Sequence, residues 1–175
     1  ADLERSLGFR VREGPVPLPS AMAIGATRSE AAARFAGELT AREGRAAGIH
    51  WALAPVGDVN SNPDNPIINL RSFGEDPELV ARMVAAFIKG ARAGGILTSV
   101  KHFPGHGDTA VDSHLALPTV PGDRTHLERI ELVLQLGAPG VAQREELLGV
   151  GSRLGQLRLD LGHGLEDRRD LLLGL

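Results

Sequence analysis

The fold and the site are organised around the stretch Lys101-His102-Phe103-Pro104-Gly105-His106-Gly107-Asp108-Thr109, with Asp112-Ser113-His114 shortly after it. Residues 95–100 come directly before this stretch, and a short β-branched run bounded by glycine predicts a buried strand. Lysine, histidine and carboxylate groups therefore follow the carboxyl end of a strand, where open sheets and α/β barrels keep their ligand sites. We expect this loop to contain the functional site.

A second strand and an intervening helix are predicted upstream. Residues 49–54 form an apolar run that Pro55 ends, and a helix is expected from Asp76-Pro77 to about residue 93, with Asp76 as its N-cap. The order strand, helix, strand is a βαβ unit, which requires parallel pairing and a right-handed crossover. The chain is therefore predicted to be an α/β protein with parallel strands.

Two segments before residue 49 also carry local signals. Thr27-Arg28-Ser29-Glu30 matches a capping box and predicts a helix that Gly48 ends. Ala21-Met22-Ala23-Ile24 predicts a short strand or a turn.

Composition excludes several classes of function. The 175 residues carry a formal net charge of −3 with one Trp and no Tyr, so neither a basic surface nor a base-stacking platform for nucleic acid is expected. The absence of cysteine excludes disulfides and a thiol nucleophile. No run approaches the roughly 20 apolar residues of a membrane span. The sequence does not decide between a cytoplasmic and a secreted location, and no cofactor is predicted.

The spacing of Asp112 and His114 predicts a proton-transfer pair. An aspartate that accepts from one imidazole nitrogen fixes the tautomer and leaves the other nitrogen available for proton transfer. Lys101 and His102 are expected to donate to hydroxyl groups or to a developing oxyanion. The alternative is a polar loop whose histidines only cap turns.

A metal site is a further alternative, because His102, His106 and Asp108 carry nitrogen and oxygen ligands. Their spacing matches no standard zinc pattern, and Lys101 would repel a cation.

The long polar loop of residues 58–71 offers two more candidates. Arg71 follows an apolar segment and can present a rigid fork of donors to a ligand. Asp58 follows a strand end and is either a site residue or an acceptor that braces the loop. A loop of this length inside a compact domain is usually functional or disordered.

Three segments resemble glycoside hydrolase family 3. They are Leu53-Ala54-Pro55-Val56-Gly57-Asp58-Val59-Asn60, Asn69-Leu70-Arg71-Ser72-Phe73-Gly74 and Lys101-His102-Phe103-Pro104-Gly105-His106-Gly107. Together with Asp112-Ser113-His114, they look like the β-N-acetylhexosaminidase (β-N-acetylglucosaminidase) branch of that family. The similarity covers about residues 15–120.

This resemblance implies a retaining hydrolase on a (β/α)8 barrel that removes terminal β-linked N-acetylglucosamine. By position, Arg71, Lys101 and His102 would hold the sugar hydroxyls, while Asp112 and His114 would be the acid–base dyad. Retaining glycosidases ordinarily use two carboxylates about 5 Å apart. The resemblance implies that the Asp–His pair replaces one of them.

The sequence departs from the family pattern at both ends. Nothing in residues 121–175 matches the Ser-Asp type motif of the nucleophilic aspartate. Of the family's Asp-x-Glu-Gly-Gly sugar-binding motif, Asp2-Leu3-Glu4 retains only the acidic residues. The chain is therefore expected to be inactive, and a sugar-binding fragment without catalysis is the alternative.

Length and composition point the same way. A closed barrel takes about 250 residues, so an incomplete TIM-type barrel is predicted for residues 1–125. Residues 126–175 are rich in Leu, Gly and Arg, and 15 of them are Leu. They are predicted to be a poorly specified tail that results from truncation or a shifted reading frame.

Overall fold

A computed structural model describes residues 1–111, 115 and 124–131 of the chain. Three helices and two short strands precede residues 101–109, which we call the site loop, and a helical segment follows it. The elements are α1 (Ala21–Ala26), α2 (Glu30–Ala46), β1 (Trp51–Ala52), α3 (Pro77–Ala93), β2 (Leu97–Thr98) and α4 (Arg124–His126), which continues as a π-helix over Leu127–Glu131. Short 3-10 helices occupy Leu7–Phe9 and Asn69–Arg71.

The two strands pair in parallel, with Trp51 opposite Leu97 and Ala52 opposite Thr98. A parallel bridge between Val56 and Lys101 continues the pairing beyond the strands. Because α3 lies between β1 and β2 in the chain, the predicted βαβ unit and the α/β class are confirmed. Both strands are shorter than predicted, but their carboxyl ends lead side by side into the two polar loops.

Capping residues set where the long helices begin. Asp76 accepts hydrogen bonds from the backbone N–H groups of Glu78 and Leu79 at 3.0 and 3.4 Å, with Pro77 in the first turn, so the predicted start of α3 is confirmed. The cap of α2 is Ser29, whose hydroxyl accepts from Ala32 N at 3.2 Å. The predicted capping box was therefore placed two residues too early.

The prediction of a strand or turn for Ala21-Met22-Ala23-Ile24 was wrong, because these residues begin α1. Ser20 provides an N-cap that accepts from Ala23 N at 3.3 Å. Thr27, which the sequence assigned to the next helix, ends α1 and donates from its hydroxyl to Ile24 O at 2.6 Å. Thr27 at the end of α1 and Ser29 at the start of α2 therefore separate the two helices.

Helices α2 and α3 pack closely through glycine. A Cβ added at Gly37 would lie 2.0 Å from Phe87 O, and one added at Gly90 would lie 2.0 Å from Arg34 O. The backbone of each helix therefore packs directly against a glycine of the other helix. The core beside this contact is formed by apolar side chains, which include Ala33, Ala36, Leu39, Val80, Met83, Val84 and Ile88.

No helix in the described part of the chain is long and apolar enough to cross a membrane.

Replacing Gly37 by Ala should destabilise the fold, because the new methyl group meets a backbone oxygen rather than a movable side chain. Overpacking of this kind costs about 1–3 kcal/mol in the free energy of unfolding. Gly44→Ala, in the same helix, is the matched control, since its Cβ meets side-chain atoms, those of Ile96, Leu3 and Ile49, and no backbone atom. Urea unfolding of both variants measures the difference, and equal stability would contradict the packing described.

Candidate functional site

Asp58 lies in the loop that follows β1, and it organises the loop that follows β2. Its side chain is entirely buried. Oδ1 accepts from the backbone N–H groups of His102 and His106 at 3.2 and 2.8 Å, and Oδ2 faces His102 Nδ1 at 2.7 Å. Asp58 therefore braces the loop and also orients an imidazole ring of the site.

The orientation of His102 leaves its second ring nitrogen toward Arg71. Arg71 Nη2 lies 3.4 Å from His102 Nε2. Because arginine only donates, Nε2 is the acceptor of this contact, and the Nδ1–H group donates to Asp58. The arrangement gives His102 one defined neutral tautomer, with Nε2 on the side of the cationic residues.

Four charged side chains form a network next to His102. Arg71 donates to Glu4 through Nε at 2.9 Å and through Nη2 at 2.8 Å, which is the bidentate geometry of a strong ion pair. Lys101 Nζ lies 2.7 Å from both Asp2 Oδ1 and Glu4 Oε1. Asp2 also pairs with Arg10. Two cations and two carboxylates thus meet beside one imidazole.

Electrostatics keep Glu4 and Arg71 charged. Burial raises the pKa of Glu4, but hydrogen bonds and charge from Arg71 and Lys101 outweigh it and lower that pKa to about 2. The hydrogen bonds that Arg71 donates to Glu4 are the largest cause of a raised pKa of Arg71. A fixed set of cationic donors and anionic acceptors is suited to binding neutral, hydroxyl-rich molecules.

Asn65 ties the long loop of residues 58–71 to the site loop. Its Nδ2 donates to the carbonyl oxygens of His106 and Gly107 at 2.7 and 3.1 Å. Its Oδ1 accepts from the N–H groups of Ile67 and Ile68 at 2.9 and 2.7 Å. This buried amide does more than build a turn, because it fixes the chain that leads to Arg71.

The two loops also touch through their backbones at Gly107. A Cβ at this position would lie 1.7 Å from Val59 O. Only glycine fits at this distance, which explains one of the two glycines of the central stretch.

His106 is held inside the loop rather than presented to solvent. Its Nδ1 contacts the Thr109 hydroxyl, which also lies 3.0 Å from the carbonyl oxygen of His106. Burial lowers its pKa, while the charge of Asp58 opposes the shift. His106 is therefore a buried neutral imidazole.

Each member of the predicted ligand set of the metal alternative has another contact, although His106 Nε2 is buried without a hydrogen-bond partner in the described part of the chain. His102 faces Asp58, His106 contacts Thr109, and Asp108 Oδ2 lies 3.2 Å from His126 Nε2. Among residues 1–111, 115 and 124–131, no three His, Asp or Glu side chains form a group that could hold a metal ion.

The structure brings together three of the five predicted site residues. Arg71, Lys101 and His102 share one network, whereas Asp112 and His114 lie outside the described residues. Sequence reasoning did not include Asp2 and Glu4 among the site residues. The signal that identifies them is the partial Asp-x-Glu match, since both acidic positions are retained although the glycines are absent.

A parallel βαβ unit with a polar network at its strand ends is typical of an α/β enzyme that binds a small polar ligand. The chain belongs to glycosyl hydrolase family 3, because the model described as "Glycosyl hydrolase family 3 N terminal domain" matches residues 1–135. The predicted family is therefore confirmed.

Named relatives agree with this assignment. The chain is 40% identical over 138 residues to "Beta-hexosaminidase A" of Pseudoalteromonas piscicida, which covers 74% of the chain and 23% of the relative. It is 42% identical over 144 residues to a "Beta-hexosaminidase" of Methylococcus capsulatus, covering 81% of the chain and 42% of the relative. The chain thus spans less than half the length of these relatives.

A solved structure is similar as well. The glycoside hydrolase family 3 β-N-acetylglucosaminidase from Paenibacillus sp. str. FPU-7 superposes with a TM-score of 0.75 at 41% identity. The superposition covers 86% of this chain and 27% of that one.

The Glu4 network predicts a specific loss of stability in acid. Because the pKa of Glu4 in the folded chain is about 2, well below its ordinary 4.5, its contribution is complete above pH 4.5 and is lost as the pH falls toward 2. The shift corresponds to about 3 kcal/mol. The free energy of unfolding should therefore fall more steeply between these pH values in the native chain than in Glu4→Gln.

The exposed Glu13→Gln serves as the control for this comparison and should follow the native curve. Parallel curves for the native chain and Glu4→Gln would contradict the network.

Proposed function

We propose that this chain contains the sugar-binding part of a β-N-acetylglucosaminide hydrolase, built on part of a (β/α)8 barrel. The observation that carries the proposal is the meeting of Arg71, Lys101 and His102 at the carboxyl ends of two parallel strands. The names of the relatives support β-linked N-acetylglucosamine as the sugar.

The network offers both kinds of hydrogen bond that a sugar hydroxyl needs. Lys101 and Arg71 donate, and Asp2, whose side chain is 34% exposed, can accept. Glu4 is only 11% exposed, so its role is to hold the two cations rather than to meet the sugar. His102 contributes Nε2, whose lone pair can accept a hydrogen bond from a sugar hydroxyl once the sugar displaces the contact with Arg71.

Asp112 and His114 are proposed as the acid–base dyad. In a retaining reaction, His114 would protonate the glycosidic oxygen while the bond between that oxygen and the anomeric carbon breaks. It would later take a proton from the water that releases the sugar. Asp112 would accept from the other ring nitrogen and stabilise the charged imidazole. The family membership supports this assignment.

The retaining reaction also requires a nucleophile. Residues 121–175 contain no match to the family's motif for the nucleophilic aspartate, and without it the glycosyl-enzyme intermediate cannot form. We therefore propose that the chain binds the sugar without turning it over, which makes a non-catalytic sugar-binding fragment the second candidate for the same site.

The division of the chain is part of the proposal. Residues 1–125 would supply the barrel portion, and residues 126–175 a leucine-rich tail. The family match runs to residue 135, which is past this proposed boundary.

Catalysis is tested by the release of nitrophenol from a β-N-acetylglucosaminide by the native chain and by His114→Ala. We expect no release from either protein. Turnover by the native chain that His114→Ala abolishes would contradict the absence of a nucleophile, while turnover that a chelator abolishes would favour the metal alternative.

Binding is tested by calorimetry with N-acetylglucosamine. Lys101→Met should weaken binding by about tenfold or more, because a hydrogen bond to a charged group contributes roughly 1.5–3 kcal/mol. Lys89→Met, at an exposed position of α3, should bind as the native chain does. Melting curves show whether Lys101→Met is folded. No heat of binding in the native chain, or equal affinity in both variants, would contradict the proposed function.

A further inference from the structure

Glu131 is a buried carboxyl group that packs behind the site loop. It lies in the π-helical segment Leu127–Glu131, and 5% of the residue is exposed. A Cβ added at Gly105 would lie 1.7 Å from Glu131 Oε2, so the carboxyl group rests directly on this turn. The tight fit explains the second glycine of the central stretch.

Neither carboxyl oxygen of Glu131 has a hydrogen-bond partner within the described part of the chain. A buried carboxylate without donors is strongly disfavoured, whereas a neutral carboxyl group can pack in the same place at much lower cost. Glu131 also belongs to no ion pair among the described residues. Its surroundings therefore favour the protonated form.

The charged groups around Glu131 act in the same direction. Burial is the largest cause that raises its pKa to about 7, and the negative charges of Asp58 and Asp108 raise it further. His126, one helical turn before Glu131, faces Asp108 rather than Glu131. Helix α3 also packs against this segment, and Asp58 and Asp108 are the charged groups that shift the pKa of Glu131.

We propose that Glu131 is a positioning residue whose neutral carboxyl group supports the turn at Gly105 and so keeps His106 N–H on the carboxylate of Asp58. Loss of the Glu131 proton places a third negative charge behind the loop, next to Asp58 and Asp108. Repulsion and the demand of the new carboxylate for water then separate the segment from Gly105. The loop that carries Lys101 and His102 loosens as a result.

The direct readout is hydrogen exchange of the His106 amide, which donates to Asp58 at 2.8 Å. After correction for intrinsic exchange, the protection of this amide in the native chain should fall about tenfold between pH 6 and pH 8. The reason is that a Glu131 carboxyl group with a pKa of about 7 is ionised in about one molecule in ten at pH 6 and in about nine in ten at pH 8. In Glu131→Gln, protection should not change with pH. Glu13→Gln should behave as the native chain does.

The pH dependence separates positioning from simple packing, since loss of packing alone would lower protection equally at every pH. The same profile in Glu131→Gln as in the native chain, or a flat profile in the native chain, would overturn the proposal.

A second measurement needs no variant. The 13C shift of the Glu131 carboxyl carbon in the native chain should titrate with a midpoint near 7. A midpoint at or below the ordinary 4.5 would overturn the proposal even if Glu131→Gln failed to fold. Neither readout needs a sugar, so failure of the proposed function leaves this test intact.

Discussion

Asp58 places a fully buried carboxylate opposite three N–H groups of the loop that begins at Lys101. A buried carboxylate loses its hydration at a cost of several kcal/mol, which is recovered only when donors surround it in good geometry. The backbone of His102 and His106 provides two of those donors, and the ring of His102 provides the third. The conformation of the loop and the direction of the imidazole are therefore set by the same group.

The other contacts of the site extend this constraint to distant parts of the chain. Glu4 brings the amino-terminal segment to Arg71 and Lys101, which belong to two different loops. Asn65 fixes the first of these loops to the second. Because Asp58, Glu4 and Asn65 each bind a segment other than their own, the site forms only when the strands are paired and their carboxyl ends are adjacent.

The sequence predicted what depends on local signals. The cap at Asp76 and the βαβ order followed from residue type and position, whereas the common role of Arg71, Lys101 and His102 was implied by the family resemblance. The prediction for residues 21–24 was wrong because Ser20 caps a helix too short to show a period. The contacts of Glu4 with Lys101 and of Glu131 with Gly105 link residues far apart in sequence, so no pattern within one segment indicates them. The dyad of Asp112 and His114 and the barrel remain predictions.

The tautomer of His102 tests most directly whether Asp58 organises the site. Two-bond 1H–15N correlation spectra of the imidazole groups, recorded at alkaline pH, distinguish the two neutral forms. We expect His102 to carry its proton on Nδ1, facing Asp58, and Nε2 to be the unprotonated nitrogen beside Arg71. A proton on Nε2, or a rapid mixture of both tautomers, would contradict this expectation.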